Sequence, residues 1–133
     1  MSTVNQGIEF VETKSFEELS KRSAEVMIDC VLKKPEALFC IATGSSPSRA
    51  YEIFVELVDK RQINVQKLRI LKLDEWWKVN ANDPSTCENF IQTKIIKPLN
   101  ITSQNYISFD SETSDADAEC SRISKIIHEQ GPI

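Results

Sequence analysis

The spacing of two apolar runs constrains this chain most. Ala37 to Ala42 and Leu68 to Leu73 each have the length of a buried strand, and the stretch between them holds one helix with Ala50, Tyr51, Phe54, Leu57 and Val58 on its core face. A strand, a crossover helix and a second strand make a parallel pair with a right-handed connection. The alternation continues on both sides. Ile8 to Val11 reads as a first strand. A helix follows from a capping box of Ser15 and Glu18, with Phe16, Leu19, Val26, Met27, Val31 and Leu32 on its apolar face and Pro35 at its end. Further on, Ser85 and Glu88 form a second capping box for a helix carrying Phe90, Ile91, Ile95 and Ile96, which Pro98 stops. Tyr106 to Phe109 is a weak fourth strand. The last helix starts near Ser114, buries Ala118, Ile123, Ile126 and Ile127, and ends at Gly131-Pro132. Four strands alternating with four helices predict an α/β fold in three layers, α/β/α, around a mostly parallel sheet. The alternation calls for another strand after Gly131. The sheet therefore reads as incomplete at the C-terminus, and residues 1–133 as the N-terminal part of a single domain.

Composition narrows the partners. With 20 acidic residues against 16 Lys+Arg and a net charge of -4, the chain lacks the basic stripe of a nucleic-acid binder, and no nucleic acid is expected. Met1 to Gly7 carry no apolar signal region and no run is long enough to span a bilayer, which predicts a cytoplasmic protein with no membrane partner. The cysteines Cys30, Cys40, Cys87 and Cys120 form no Cys-x-x-Cys pair, and His128, on a polar helix end, is the sole histidine, so no metal site is expected. Cys30 and Cys40 read as core packers on a helix face and in a strand. Cys87 lies near the loops discussed next, with nothing basic beside it to activate the thiol. Unpaired sheet edges leave room for a homo-oligomer.

The chemistry is concentrated where the two central strands end. The first runs into Thr43-Gly44-Ser45-Ser46-Pro47 and opens a helix. Free backbone N–H groups, the positive end of the helix dipole and three hydroxyls meet there, an arrangement suited to a phosphate. The same residues also read as an ordinary helix N-cap, Ser45 or Ser46 satisfying the free N–H groups. The turn is neither a dinucleotide fingerprint nor a Walker loop, so no nucleotide cofactor is implied. The second strand runs into Asp74-Glu75-Trp76-Trp77, placing carboxylates where open α/β sheets hold ligands. Asp74 could simply cap the strand end, with Glu75 solvated. The apolar run before them and the tryptophans after them could instead desolvate one carboxylate and raise its pKa toward that of a general base. The tryptophans read as packing groups rather than a sugar-stacking platform. If the two strands pair, anchor and carboxylate sit together, a combination suited to a sugar phosphate.

Three segments carry a family resemblance: Ala42-Thr43-Gly44-Ser45-Ser46-Pro47, Lys72-Leu73-Asp74-Glu75-Trp76 and Thr86-Cys87-Glu88-Asn89-Phe90. Together they resemble the glucosamine-6-phosphate deaminase and 6-phosphogluconolactonase superfamily, and within it the galactosamine-6-phosphate isomerases (deaminating). The resemblance runs over essentially the whole chain but over only the first half or so of such an enzyme. It implies a Rossmann-like sheet in which Thr43, Gly44, Ser45 and Ser46 hold the sugar 6-phosphate. Asp74 is then the base that moves a proton between C2 and C1, with Glu75 as a supporting acid. No metal or organic cofactor is implied. The expected reaction converts galactosamine 6-phosphate to tagatose 6-phosphate and ammonia. Ser45 stands where the glucosamine enzymes usually show a second Gly, Cys87-Glu88 where they show a Tyr pair, and Trp76 where the lactonases carry an Arg. The alternatives are a lactonase-like hydrolase and a non-catalytic sugar-phosphate sensor.

Overall fold

In the computed structural model, which describes residues 2–5 and 7–133 with side chains from residue 7, two sheets form. Strands β1 (Ser2–Asn5) and β2 (Ile8–Val11) pair antiparallel as a hairpin, with Gly7 at φ 84° in its turn. The main sheet holds β3 (Leu38–Ile41), β4 (Arg69–Lys72) and β5 (Tyr106–Ile107), all parallel, in the order β3-β4-β5. The expected first strand thus forms but pairs with β1 outside the parallel sheet. Ile8, Phe10 and Val11 stay exposed, so β2 adds no large side chain to the core.

Helices α1 (Phe16–Lys33) and α2 (Ser45–Lys60) pack on one face of the main sheet, and α5 (Ala116–Gln130) packs on the other. Alternation along β3 and β4 explains the division. Ile41 and Ile70 point toward α1 and α2, where Ile28, Phe54 and Leu68 are fully buried, while Leu38 and Leu71 meet Ile107 and Ile123 on the α5 side. Each such side chain contributes on the order of 1.5–3 kcal/mol by leaving water. The three layers and the parallel sheet agree with the expectation. β3 is an edge of this sheet, and an apolar groove of about 510 Å³ runs along it, lined by Met27, Cys30, Phe39 and Ile133 among others.

Several local expectations are corrected. α1 buries Ser20, Ala24, Ile28 and Val31, so Phe16, Leu19, Val26, Leu32 and Cys30 lie on its exposed side. The small residues are what let α1 approach α2, and Ser20 is buried without penalty because its Oγ donates to the Phe16 carbonyl at 2.8 Å. The capping box at Ser85 does not form. Thr86 caps α3 (Cys87–Ile91), accepting from the Asn89 N–H at 3.1 Å, while Ser85 turns back to Asp83. α3 continues through a π-helical turn, Gln92–Ile96, into the short α4 (Lys97–Leu99), so Pro98 lies inside the last turn and the stop is Asn100 in the left-handed region at φ 53°. Asp115 caps α5 in place of Ser114, and Ala118 is exposed.

Candidate functional site at the C-terminal ends of β3 and β4

Parallel pairing of β3 with β4 sets the geometry. The register matches Ile41 with Lys72, and the Leu73 N–H donates to the Ile41 carbonyl at 3.1 Å, one step beyond the strands. Thr43 and Asp74 therefore leave the sheet at the same level, two residues past a matched pair, on strands about 4.8 Å apart.

On the β3 side the helix begins at Gly44, with φ 112° and ψ -176°, a conformation open to glycine. Gly44 is the N-cap, so Ser45 and Ser46 are the first helical residues. No side chain caps α2 and no acidic residue occupies its first turn. The alternative of a serine N-cap is thereby overturned. Gly44, Ser45 and Ser46 are exposed and Thr43 is half-buried. The Tyr51 hydroxyl donates to the Ala42 carbonyl at 2.8 Å and ties the start of the turn to α2.

On the β4 side Asp74 is exposed and its neighbour Glu75 is buried, with only 2% of its side chain accessible. The carboxylate taken out of water is therefore Glu75, and its surroundings are strongly polar. Lys72 Nζ, itself buried, lies 2.8 Å from Glu75 Oε2 and 3.0 Å from Glu88 Oε2. Glu75 also accepts the backbone N–H groups of Trp76 at 2.9 Å, Cys87 at 3.1 Å and Glu88 at 2.8 Å. Burial opposes ionisation of Glu75, but Lys72 and these N–H groups outweigh it and hold the pKa below the ordinary 4.5. The raised carboxylate pKa expected from the sequence is corrected accordingly. Glu88 behaves alike: burial works against its charge, yet Gln92, the hydroxyls of Ser108 and Tyr106, and Lys72 keep its pKa low. Tyr106, desolvated and bonded to that carboxylate, is pushed far up and stays a donor.

Cys87 joins the two sides. Its thiol accepts from Thr43 Oγ1 at 3.3 Å, and its N–H donates to Glu75. Burial pushes the thiol pKa up, with the negative charges of Glu75 and Asp74 adding to it, so the protonated form dominates and no nucleophile is expected there. Trp76 is 68% exposed and so is not a packing group, while Trp77 donates its indole N–H to the Thr113 carbonyl at 2.9 Å. Both border a cleft of about 310 Å³ that includes Asp74, Phe109 and Glu119. His128 is exposed, as expected. No group of His, Cys, Asp and Glu among the described residues is arranged to hold a metal ion, and none of the described helices is long and apolar enough to cross a membrane.

Sequence reasoning missed Lys72 and Glu88. The signal was available: Lys72 occupies an inward position at the end of a central parallel strand, where a charge persists only if paired, and Glu75 and Glu88 were the acids within reach.

The model of the family described as glucosamine-6-phosphate isomerases/6-phosphogluconolactonase matches residues 12–132. The chain belongs to this family. It is 35% identical over 120 residues to "Putative deaminase AgaI" of Escherichia coli (strain K12), a match covering 90% of this chain and 47% of that protein. It is 26% identical over 126 residues to the glucosamine-6-phosphate deaminase of Clostridium acetobutylicum, covering 95% and 52%. The chain thus spans about half the length of the curated relatives it matches. Among solved structures, a monomeric glucosamine-6-phosphate deaminase superposes with a TM-score of 0.85 at 23% identity, over 90% of this chain and 49% of that one. The 6-phosphogluconolactonase of Trypanosoma brucei gives 0.67 at 18%, over 89% and 49%. These likenesses establish the Rossmann-like α/β fold of the family for this chain.

Proposed function

We propose that this chain carries the phosphate anchor and the proton-transferring carboxylate of an amino-sugar phosphate isomerase/deaminase, acting on galactosamine 6-phosphate and yielding tagatose 6-phosphate and ammonia. The observation that supports it most is the register. Thr43 and Asp74 flank one point of the sheet, so the uncapped start of α2 and an exposed carboxylate face the same small molecule. Thr43, Ser45 and Ser46 supply hydroxyls and the helix supplies N–H groups to the 6-phosphate, fixing the sugar by its far end. Asp74 then removes the C2 proton of the open-chain aldehyde, giving an enolamine. Return of the proton to C1 leaves an iminium at C2, which water hydrolyses to the ketone and ammonia. Glu75 stays ionised and bonded to Lys72, so Asp74 is the carboxylate free to exchange a proton.

The deaminases among the relatives favour this chemistry over lactone hydrolysis. At the position where a lactonase would carry an Arg, Trp76 offers no positive charge. The galacto assignment rests on Ser45 and on Cys87-Glu88, where the sequence departs from the glucosamine pattern. The test is turnover in D2O by the full-length protein. Ammonia release with solvent deuterium at C1 is expected, lost in Asp74→Asn while the phosphosugar still binds. Deuterium incorporation retained in Asp74→Asn would sink Asp74 as the base, and a higher kcat/KM for glucosamine 6-phosphate would reverse the epimer assignment. Tight binding without turnover would identify a sensor.

A further inference from the structure

We infer that Lys72, Glu75 and Glu88 are positioning residues that hold Asp74 at a fixed separation from Thr43, with Cys87 as the strut between the two. The inference rests on the proposed roles of Asp74 and the 43–46 turn. Asp74 is exposed and its carboxylate accepts no hydrogen bond among the described residues, so its place is set by the backbone on either side. Before it, Lys72 ends β4. After it, Glu75 folds back onto Lys72 Nζ at 2.8 Å and onto the first N–H groups of α3, at 3.1 Å for Cys87 and 2.8 Å for Glu88. The loop carrying Asp74 is thereby fastened to β4 and to α3 together. From α3, the Cys87 thiol meets Thr43 Oγ1 at 3.3 Å. The connection from carboxylate to phosphate turn runs Asp74, Glu75, Cys87, Thr43, and its one long side chain, Glu75, is held at both oxygens by Lys72 and backbone N–H groups.

A purely structural role explains less. Buried ion pairs add little net stability compared with apolar residues of similar size, because desolvation offsets the attraction. What this cluster adds is direction: two carboxylates share one ammonium, and their other acceptor sites take N–H groups from the loop at Trp76 and from the helix that begins at Cys87, and hydroxyls from Tyr106 and Ser108. Displacing a catalytic group by about 1 Å can cost on the order of 100-fold in rate, so such fastening bears on chemistry rather than on binding.

The experiment pairs kinetics with amide NMR on the full-length protein. Glu75→Gln keeps the side chain's shape and removes its charge. The expected result is a kcat lowered about 10- to 100-fold with KM for the sugar phosphate changed less than about threefold, together with shifted amide resonances at Thr43 to Ser46. Cys87→Ala should lower kcat in the same way, and Cys87→Ser, which keeps an acceptor for Thr43, should restore most of it. This pair decides the matter if Glu75→Gln does not fold. Unchanged kcat in Glu75→Gln with still amides in the 43–46 turn, or equal effects of Cys87→Ala and Cys87→Ser, overturns the inference. If the unaltered protein shows no Asp74-dependent exchange while Glu75→Gln moves the Thr43 to Ser46 resonances, the proposed chemistry fails and the coupling stands.

Discussion

Two helix N-termini meet beside Asp74, and they are treated in opposite ways. At α3 the chain supplies its own anion. Glu75 accepts the Cys87 and Glu88 N–H groups, Thr86 caps from the side, and Glu88 adds a further charge in the first turn. At α2, the longer helix with the fuller dipole, neither a capping side chain nor an acid in the first turn is present, and Gly44 keeps the backbone bare. The difference separates a joint from a receptor. The same N–H chemistry locks one helix to the sheet and, on the function proposed here, presents the other to a phosphate.

The largest effect should come from breaking the joint. Lys72→Met leaves the buried Glu75 side chain and the partly buried Glu88 without their cation, and a loss of about 3–5 kcal/mol is expected in urea unfolding. A loss below 1 kcal/mol would mean that α3 is not held by this charge. Acid acts on the same joint. Because the pKa values of both glutamates are lowered in the folded protein, their contribution is complete above 4.5 and drains away as pH falls through the folded values. Glu75→Gln should flatten that decline in urea midpoints measured from pH 7 to pH 3. Next in size, Gly44→Ala forces a Cβ into φ 112°, and a cost of order 1–3 kcal/mol is expected although nothing lies within 4 Å of the added atom. An unchanged melting temperature would show that the turn relaxes. Thr86→Ala should cost about 1 kcal/mol as a lost cap, whereas Ser45→Ala and Ser46→Ala should stay within about 0.5 kcal/mol while weakening phosphosugar binding. Equal stability losses at all three would erase the distinction. The smallest effect sharpens it most. Ser45→Asp gives α2 an anion of its own, which should stabilise the fold by about 0.3–1 kcal/mol and abolish phosphosugar binding by calorimetry.

The elements that were legible in the sequence are those fixed by local pattern. β3, β4 and the helix between them follow from run length and period, and their parallel pairing follows from the crossover. Their strand ends, and hence the meeting of Thr43 with Asp74, follow as well. The hidden parts depend on partners distant in sequence. Which face of α1 is buried was decided by Ser20 and Ala24, whose small size matters only once α2 lies against them. The destination of Glu75 was decided by Lys72 and by α3, twelve residues on at Cys87. Ser85 and Thr86 compete for one cap, and Asp83 settles the choice by taking the Ser85 hydroxyl. Propensity does not register that kind of competition.

Register has a consequence for how the molecule tolerates change in length. The gap between the ends of β3 and β4, from which Thr43 and Asp74 leave the sheet, is the spacing of adjacent strands, a quantity set by peptide hydrogen bonds and indifferent to how much chain is wound between them. Residues could be added or removed around the turn at Arg61 and Gln62, at the far end of α2, without lengthening that gap. The distance that matters to the substrate is measured across the sheet rather than along the polypeptide.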